Sequence, residues 1–289
     1  MLVVCPTPIG NLDDVTQRQR QALSGADIIA CEDTRRAGKL LEVLGIDRSQ
    51  GRPRLWRYDD HTARSQTASL VDEVRQGRQV VLTTDAGTPT ISDPGYRLVR
   101  ACRDEGLEVV ALPGPVAAIV ALSASGLATD RFYFEGFLPT KNKARRQRLE
   151  ALQELEATLL LYESPRRIVG TLESAQEALG EDRRVCVGRE LTKRHEEYLT
   201  GTIAEVRSEL AQRESIRGEC TICIEGAVSS GEEEADLWSG ADELIGALLR
   251  QGVRKRTIKD VVDDVFDVTR SEIYDRIEVV ASNLDEFDD

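Results

Sequence analysis

The residues of this chain that could do chemistry gather in three short segments. One runs Pro6-Thr7-Pro8-Ile9-Gly10-Asn11-Leu12-Asp13-Asp14, a second is Cys31-Glu32-Asp33-Thr34-Arg35-Arg36, and the third extends from Thr84 to Gly95. The third holds two aspartates, two prolines and two glycines in twelve residues, more conformational restriction than a surface turn requires. Several familiar chemistries find no support. There is no G-x-G-x-x-G after the first apolar run, no G-x-x-x-x-G-K-[ST] and no G-x-S-x-G. With His61 and His195 as the two histidines, a histidine-rich metal site is excluded.

Each segment follows an apolar, β-branched run: Leu2–Cys5, Asp27–Cys31 and Gln79–Thr83. Further runs are Glu108–Leu112, Thr158–Tyr162, Arg184–Gly188 and Cys220–Glu225. Amphipathic stretches such as Arg64–Gln76, Tyr96–Glu105 and Arg166–Leu179 separate most of them, which predicts βαβ units and mostly parallel sheets. In such sheets ligands bind beyond the carboxyl ends of the strands, where all three segments lie in sequence. Pro113-Gly114-Pro115 divides an expected N-terminal α/β lobe (1–112) from a C-terminal α/β lobe (113–228). An acidic linker is expected over 229–240, then a small helical module over 241–289 with helices at Ala241–Gln251, Thr257–Phe266 and Ser271–Val280.

The 289 residues suit two lobes, and 40% hydrophobic with 31% charged residues is an ordinary globular balance. The N-terminal MLVVCPTPIG lacks a basic region and reads as a first strand, so a cytoplasmic location is expected. Cys5, Cys31, Cys186 and Cys223 sit in apolar runs and read as buried thiols. Cys220 and Cys223 spell C-x-x-C, but no second ligand pair exists, and on a strand the two point to opposite faces. No metal is expected. The net charge of −13 is concentrated in the tail: residues 229–289 carry −10 and the remainder only −3. A near-neutral body with a basic stripe at Lys141, Lys143, Arg145, Arg146 and Arg148 can still meet phosphate.

The pieces TPIGNLDD (7–14), CEDTRR (31–36), DAGTPTISDPGYRLV (85–99), PGP (113–115), ALSASGL (121–127), FEGFLP (134–139), YESPRR (162–167), GRELTKRHEE (188–197) and GECTICIEG (218–226) closely resemble the ribosomal RNA small subunit methyltransferase I branch of the tetrapyrrole methylase superfamily. The resemblance covers about residues 2–228 and continues loosely through the tail. It departs at Arg166, where YESP is often followed by His, at Val116, and at Asp59-Asp60-His61. The resemblance implies a two-lobed α/β fold of the tetrapyrrole methylase type with S-adenosylmethionine in the inter-lobe cleft. It implies a homodimer and 2′-O-methylation of a cytidine in the decoding region of 16S rRNA in the 30S subunit, expected at cytidine 1402.

By that resemblance the cofactor contacts are placed at Pro8 and Gly10, at Asp85, Ala86, Gly87, Thr88 and Ile91, at Ser123 and Ala124, at Tyr162 and at Gly218. A ribose 2′-hydroxyl is a poor nucleophile until its proton is drawn away. Candidate carboxylates for that role are Asp13, Asp33, Glu163 and Glu190, with Arg35, Arg189 and Lys193 as cations that could orient phosphate. The sequence does not choose among them, and a reaction without a dedicated base stays open. Arg166, Arg167 and the 141–148 stripe are the expected RNA contacts, because phosphate favours Arg and Lys. Arg254-Lys255-Arg256 and Lys259 could help grip the ribosome, although the acidic tail reads better as a packing or dimer-supporting module. The alternatives are a tetrapyrrole or other small-molecule methyltransferase, and a ribosome-assembly factor without catalysis.

Overall fold

The computed structural model describes residues 1–227, 232–266 and 270–285. Met1–Gly226 form one compact unit and Ala227–Asp289 a second.

The first unit begins with a five-stranded sheet. Its strands are β1 (Leu2–Val4), β2 (Ile28–Cys31), β3 (Arg54–Arg57), β4 (Val80–Leu82) and β5 (Val109–Ala111), in the order β3-β2-β4-β1-β5. All four pairings are parallel. Helices α1 (Gln17–Ser24), α2 (Thr34–Val43), α3 (Ala63–Arg75) and α4 (Tyr96–Asp104) cross between strands and cover both faces. Alternation along the strands feeds two separate cores. Leu2, Val4, Ile28, Ala30, Val80 and Leu82 pack with Leu70, Val74 and Leu98 on one face. Val3, Ile29, Cys31 and Val81 pack with Leu23 and Leu41 on the other. Burial on both faces explains why the three central strands read as unbroken apolar runs.

Beyond Pro113–Pro115, α5 (Ala117–Ser125), β6 (Phe132–Phe137), α6 (Asn142–Glu150), β7 (Thr158–Glu163), α7 (Ile168–Leu179), β8 (Arg184–Arg189), β9 (Glu197–Thr202), α8 (Ile203–Ala211) and β10 (Cys220–Ile224) build a second sheet. Its order is β6-β7-β10-β8-β9, with β6 parallel to β7 and the other pairings antiparallel. The expectation of mostly parallel sheets therefore holds for the first sheet and not for this one. The seven-residue loop 190–196 between β8 and β9 is too short for a parallel crossover, so those strands turn back on each other. One face packs on α6, α7 and α8 through Leu149, Leu172 and Val206. The other packs on α5, whose alanines 118 and 121 let it approach Leu160, Cys186 and Cys223.

The seven runs read from sequence are β1, β2, β4, β5, β7, β8 and β10. The three missed strands, β3, β6 and β9, are all sheet edges with polar or exposed positions, such as Arg54-Leu55-Trp56-Arg57. Edge strands tolerate charge because one side meets water, so apolar runs do not reveal these three, whereas the fourth edge, β5, is apolar throughout and is legible. All six cysteines are buried. Cys220 and Cys223 enter cores on opposite faces, and burial pushes their thiols up to about 11 and about 12.

The second unit is helical: α9 (Glu232–Arg250), α10 (Lys255–Val265) and α11 (Arg270–Asp285), joined through Ala241, Ile245, Ile258, Val262, Ile273 and Ile277. The segment expected as a linker is helical from Glu232 onward, since Glu and Ala are good helix formers and acidic residues suit a helix N-terminus. Its first part, through residue 231, lies outside the described residues. No helix among the described residues is long and apolar enough to cross a membrane.

Candidate active site

The three segments meet at the carboxyl end of the parallel sheet. Thr7 and Gly87 exchange backbone hydrogen bonds of 2.9 and 3.0 Å, and the Thr7 hydroxyl donates to the Thr84 carbonyl at 3.1 Å. The Thr88 hydroxyl donates to the Pro115 carbonyl at 2.9 Å, fastening the 84–95 loop to the Pro-Gly-Pro turn. Four residues of this loop have positive φ: Gly87 (87°), Thr90 (77°), Ser92 (60°) and Gly95 (139°). A β-branched threonine in that region costs about 1–3 kcal/mol, and such strain clusters at functional sites.

This loop forms one wall of a cleft of about 460 Å³, with Asp85–Thr88, Ile91–Asp93, Glu32 and Arg36 lining it. The opposite wall comes from the second sheet: Phe137, Tyr162–Pro165 and Glu219–Thr221. Tyr162 is held by accepting a 3.2 Å hydrogen bond from the Ala118 amide, with the Phe134 ring edge-on at 5.1 Å. A smaller hollow of about 160 Å³, lined by Pro8, Gly10 and Thr83, shares Arg36 and Asp85 with the main cleft. Those two form a 3.0 Å ion pair. Thr83 is buried, and its hydroxyl has no partner among the described residues.

Three carboxylates, Glu32, Asp85 and Asp93, face the cleft from one wall. The Thr84 hydroxyl donates to Glu32, and Asp93 lines the same wall. Burial first, then the neighbouring Glu32 charge, pushes Asp93 up to about 7.

The expected cofactor residues separate into three sets. Asp85, Ala86, Gly87, Thr88, Ile91 and Tyr162 line the main cleft, while Pro8 and Gly10 line the smaller hollow. Gly218 immediately precedes the lining residue Glu219, and a Cβ there would stand 2.2 Å from Glu190 Cγ. Ser123 and Ala124 line neither cavity; they lie exposed on α5, where the Ser123 hydroxyl donates to the Ile119 carbonyl at 2.8 Å. That part of the expectation is corrected: the buried stripe of α5 passes through Ala118, Ala121, Leu122 and Ser125, leaving 123 and 124 on the other side.

Among the catalytic candidates, only Glu163 lines the cleft. Asp13 is exposed in a short 3₁₀ turn. Asp33 caps α2 by accepting from the Arg35 amide at 2.8 Å and pairs with the Arg35 guanidinium, which together hold its carboxyl far below the usual range. Lys193 bridges Glu190 (2.7 Å) and Glu219 (2.9 Å), placing that trio at the rim through Glu219. Arg189 bonds Glu197 at 2.7 Å, and Arg213 grips the same carboxylate. Both guanidiniums, Arg213 foremost, hold Glu197 down to about 2. A depressed carboxylate stabilises the fold above its ordinary value of 4.5, and that contribution is lost as pH falls toward 2. Glu197→Gln is therefore expected to show a shallower loss of melting temperature than the parent across that acid window, as thermal melts at stepped pH would reveal.

The basic stripe is only partly available. Arg145 is buried and donates to Ser174 Oγ (3.0 Å), Asn142 Oδ1 (2.9 Å) and the Gly170 carbonyl (2.9 Å). Its place on the Leu149 face of α6 turns it toward α7, so the structure corrects its reading as an RNA contact. Arg148 is bidentate to Glu135 and bonds Tyr133, and Arg146 pairs with Glu150 and Glu177. Arg167 pairs with Glu163 and donates to the Leu138 carbonyl at 2.9 Å, tying loop 164–167 to loop 138–141. Lys141, Lys143 and Arg166 are exposed, and their side chains have no partner among the described residues.

Glu32, Arg36, Asp93, Phe137, Ser164 and Glu219 line the cleft without having been singled out. Each lies within a quoted motif, so position in CEDTRR, in the 85–99 loop, in FEGFLP, in YESPRR or in GECTICIEG was the available signal.

A cleft at the carboxyl ends of a parallel sheet, closed by a second mixed sheet, defines a two-lobed α/β protein built to hold a small ligand between its sheets. The family described as Tetrapyrrole (Corrin/Porphyrin) Methylases matches residues 1–207. A protein of Mesorhizobium japonicum named Ribosomal RNA small subunit methyltransferase I is 45% identical over 236 residues, covering 82% of this chain and 79% of the relative. A protein of the same name from Escherichia coli O157:H7 is 41% identical, covering 94% and 93%. A solved uroporphyrin-III C-methyltransferase of Thermus thermophilus, complexed with S-adenyl homocysteine, shares the fold with a TM-score of 0.53, 16% identity and coverage of 77% and 96%. The chain belongs to the tetrapyrrole methylase family, in the branch of the ribosomal RNA small subunit methyltransferase I proteins.

The cofactor implied by this family is S-adenosylmethionine, and the cleft fits it. About 460 Å³ lies within the ordinary size of small-molecule sites. Glu32, Asp85 and Asp93 suit a ligand that carries a sulfonium and an ammonium, and Arg36 can meet its carboxylate.

Proposed function

We propose that this protein transfers the methyl group of S-adenosylmethionine to the 2′-hydroxyl of a cytidine in the decoding region of 16S rRNA, cytidine 1402 being the expected target. The observation that carries the reading is the strained, carboxylate-lined loop 84–95 facing Tyr162 across a cofactor-sized cleft, in a chain whose relatives bear the name of a small-subunit rRNA methyltransferase.

When bound, the cofactor supplies an activated methyl group on a positively charged sulfur. Asp85, Ala86, Gly87, Thr88, Ile91 and Tyr162 hold it in the main cleft. The smaller hollow at Pro8 and Gly10, and the Gly218 turn, support the two rims. Displacement at the methyl carbon is in line, so the protein contributes chiefly by positioning. The exposed, unpaired Lys141, Lys143 and Arg166 flank the tied loops 138–141 and 164–167 and receive the RNA backbone, with Arg146 as a partial contributor. The assembled small subunit is read as the substrate and the cytoplasm as the location.

The test is transfer of labelled methyl from S-adenosylmethionine to 30S subunits lacking the modification, with mass-spectrometric mapping of the nucleoside. The expected product is 2′-O-methylcytidine at the decoding site, lost in Asp85→Ala. The triple variant Lys141→Ala, Lys143→Ala, Arg166→Ala is expected to weaken RNA affinity at low salt and to flatten its salt dependence by about two to three unit slopes, with cofactor affinity retained. Cofactor binding without label on subunits or naked rRNA would redirect the assignment to small-molecule acceptors such as tetrapyrroles.

A further inference from the structure

The carboxylates named from sequence as possible bases are poor ones in place. Asp33 and Glu190 are held low by Arg35 and Lys193, and neither lines the cleft. Glu163 already accepts from the Ser164 amide and the Thr171 hydroxyl while paired with Arg167. The main cleft contains a different arrangement. Glu32, directly after β2, and Asp93, in the loop before α4, line the same wall of it, with Glu32 accepting from the Thr84 hydroxyl. Two carboxyl groups crowded on one wall of a partly desolvated cleft cannot both ionise freely, so the pair retains a proton to a higher pH than either would alone.

We propose that the Glu32–Asp93 pair is the general base of methyl transfer, with Asp93 taking the proton of the ribose hydroxyl as that oxygen attacks. This rests on the 2′-O reading above. The 2′ oxygen forms a bond to the methyl carbon while the carbon–sulfur bond breaks and its electron pair returns to sulfur. The hydroxyl proton passes to the Asp93 carboxylate and then to water. A base is most effective when its proton affinity lies near the working pH, and Asp93, pushed up to about 7, meets that condition. The groups facing Asp93 are Glu32, Thr84 and Asp85 with its partner Arg36 on its own wall, and Tyr162, Glu163 and Glu219 opposite. The like charges of Glu32 and Asp85 keep its proton affinity high, and loss of Glu32 would lower it.

The experiment is the pH dependence of single-turnover methyl transfer to unmodified 30S subunits at saturating cofactor, with cofactor affinity measured by calorimetry and folding by thermal melts. In the parent the rate is expected to rise through about pH 7 and level off, since Asp93 must be deprotonated to act. Asp93→Asn is expected to lose that limb and about 10²- to 10⁴-fold in rate, well beyond whatever cofactor affinity is lost with one carboxylate of the wall. Glu32→Gln is expected to shift the limb to lower pH while keeping measurable activity, a response a merely structural role would not give. An unchanged limb in Asp93→Asn, or a rate loss no larger than the loss of cofactor affinity, overturns the assignment and leaves the pair as an anionic wall for the sulfonium. Failure of the parent itself to form 2′-O-methylcytidine is a separate result that overturns the functional reading first.

Discussion

Gly95→Ala is expected to be among the most damaging single-methyl additions in this protein, lowering stability by about 2–5 kcal/mol. Gly95 has φ of 139°, a region essentially closed to L side chains, and it begins α4. An added Cβ would stand 2.7 Å from Leu82 Cδ2 and 2.9 Å from Thr90 Cγ2. Leu82 is buried in the core at the end of β4 and cannot retreat, so strain and overpacking add. For a unit of this size the melting temperature should fall by roughly 5–15 °C. Because Gly95 follows Asp93-Pro94, the displaced loop should also weaken cofactor binding about tenfold or more. Gly77→Ala separates the two effects. Gly77 has φ of 83° with open space around it, so it carries strain of about 1 kcal/mol and should leave cofactor affinity alone. Equal behaviour of the two variants in melts and calorimetry would refute the argument from packing.

Glu163→Ala is expected to cost about 3 kcal/mol, as a fold-stabilising group is removed from the cleft wall. The Glu163 side chain is 1% exposed and accepts at 2.6 Å from the Ser164 amide and at 2.7 Å from the Thr171 hydroxyl. It also balances Arg167 at 3.1 Å, whose Nε already has no partner among the described residues. Removing the carboxylate leaves a guanidinium about a quarter exposed without its counter-charge, which places the cost at the lower end for broken buried pairs. Glu163→Gln keeps one acceptor oxygen for the Ser164 amide and turns its NH2 toward Thr171, whose hydroxyl can accept instead, so it should recover part of the stability. Its methyl-transfer pH profile should retain the parent's shape, because the acceptor capacity of Glu163 is committed to the wall. A Glu163→Gln protein that melts like the parent but has lost the acid limb would instead make Glu163 the base.

The two sheets illustrate what a sequence can reveal. Central strands such as Val80-Val81-Leu82 and Leu159-Leu160-Leu161 are buried on both faces, so hydrophobicity alone marks them. The edge strands β3, β6 and β9 carry Arg, Glu and Thr, because one flank meets water, and their signal is lost. Likewise, Pro, Gly and Asp crowded into 84–95 announce a ligand loop, since Gly87 and Gly95 take up positive φ and the prolines fix their own backbone, whereas the positive φ of Thr90 and Ser92 is not legible in the sequence. The motif set by itself marks the family of the chain.

Side-chain partnership was decided only by the tertiary structure. Arg145 and the exposed Lys141 and Lys143 are equivalent basic letters in one stripe, yet Arg145 is spent bolting α6 to α7. Asp33 and Asp93 are both aspartates in motif loops. One is neutralised as a base by an arginine two residues away, while the other shares a cleft wall with Glu32, 61 residues earlier in the chain. The order of residue types set the strands, the strained loop and the family. Basicity depends on desolvation and on which charges stand within a few ångströms, and those neighbours are brought together only by folding.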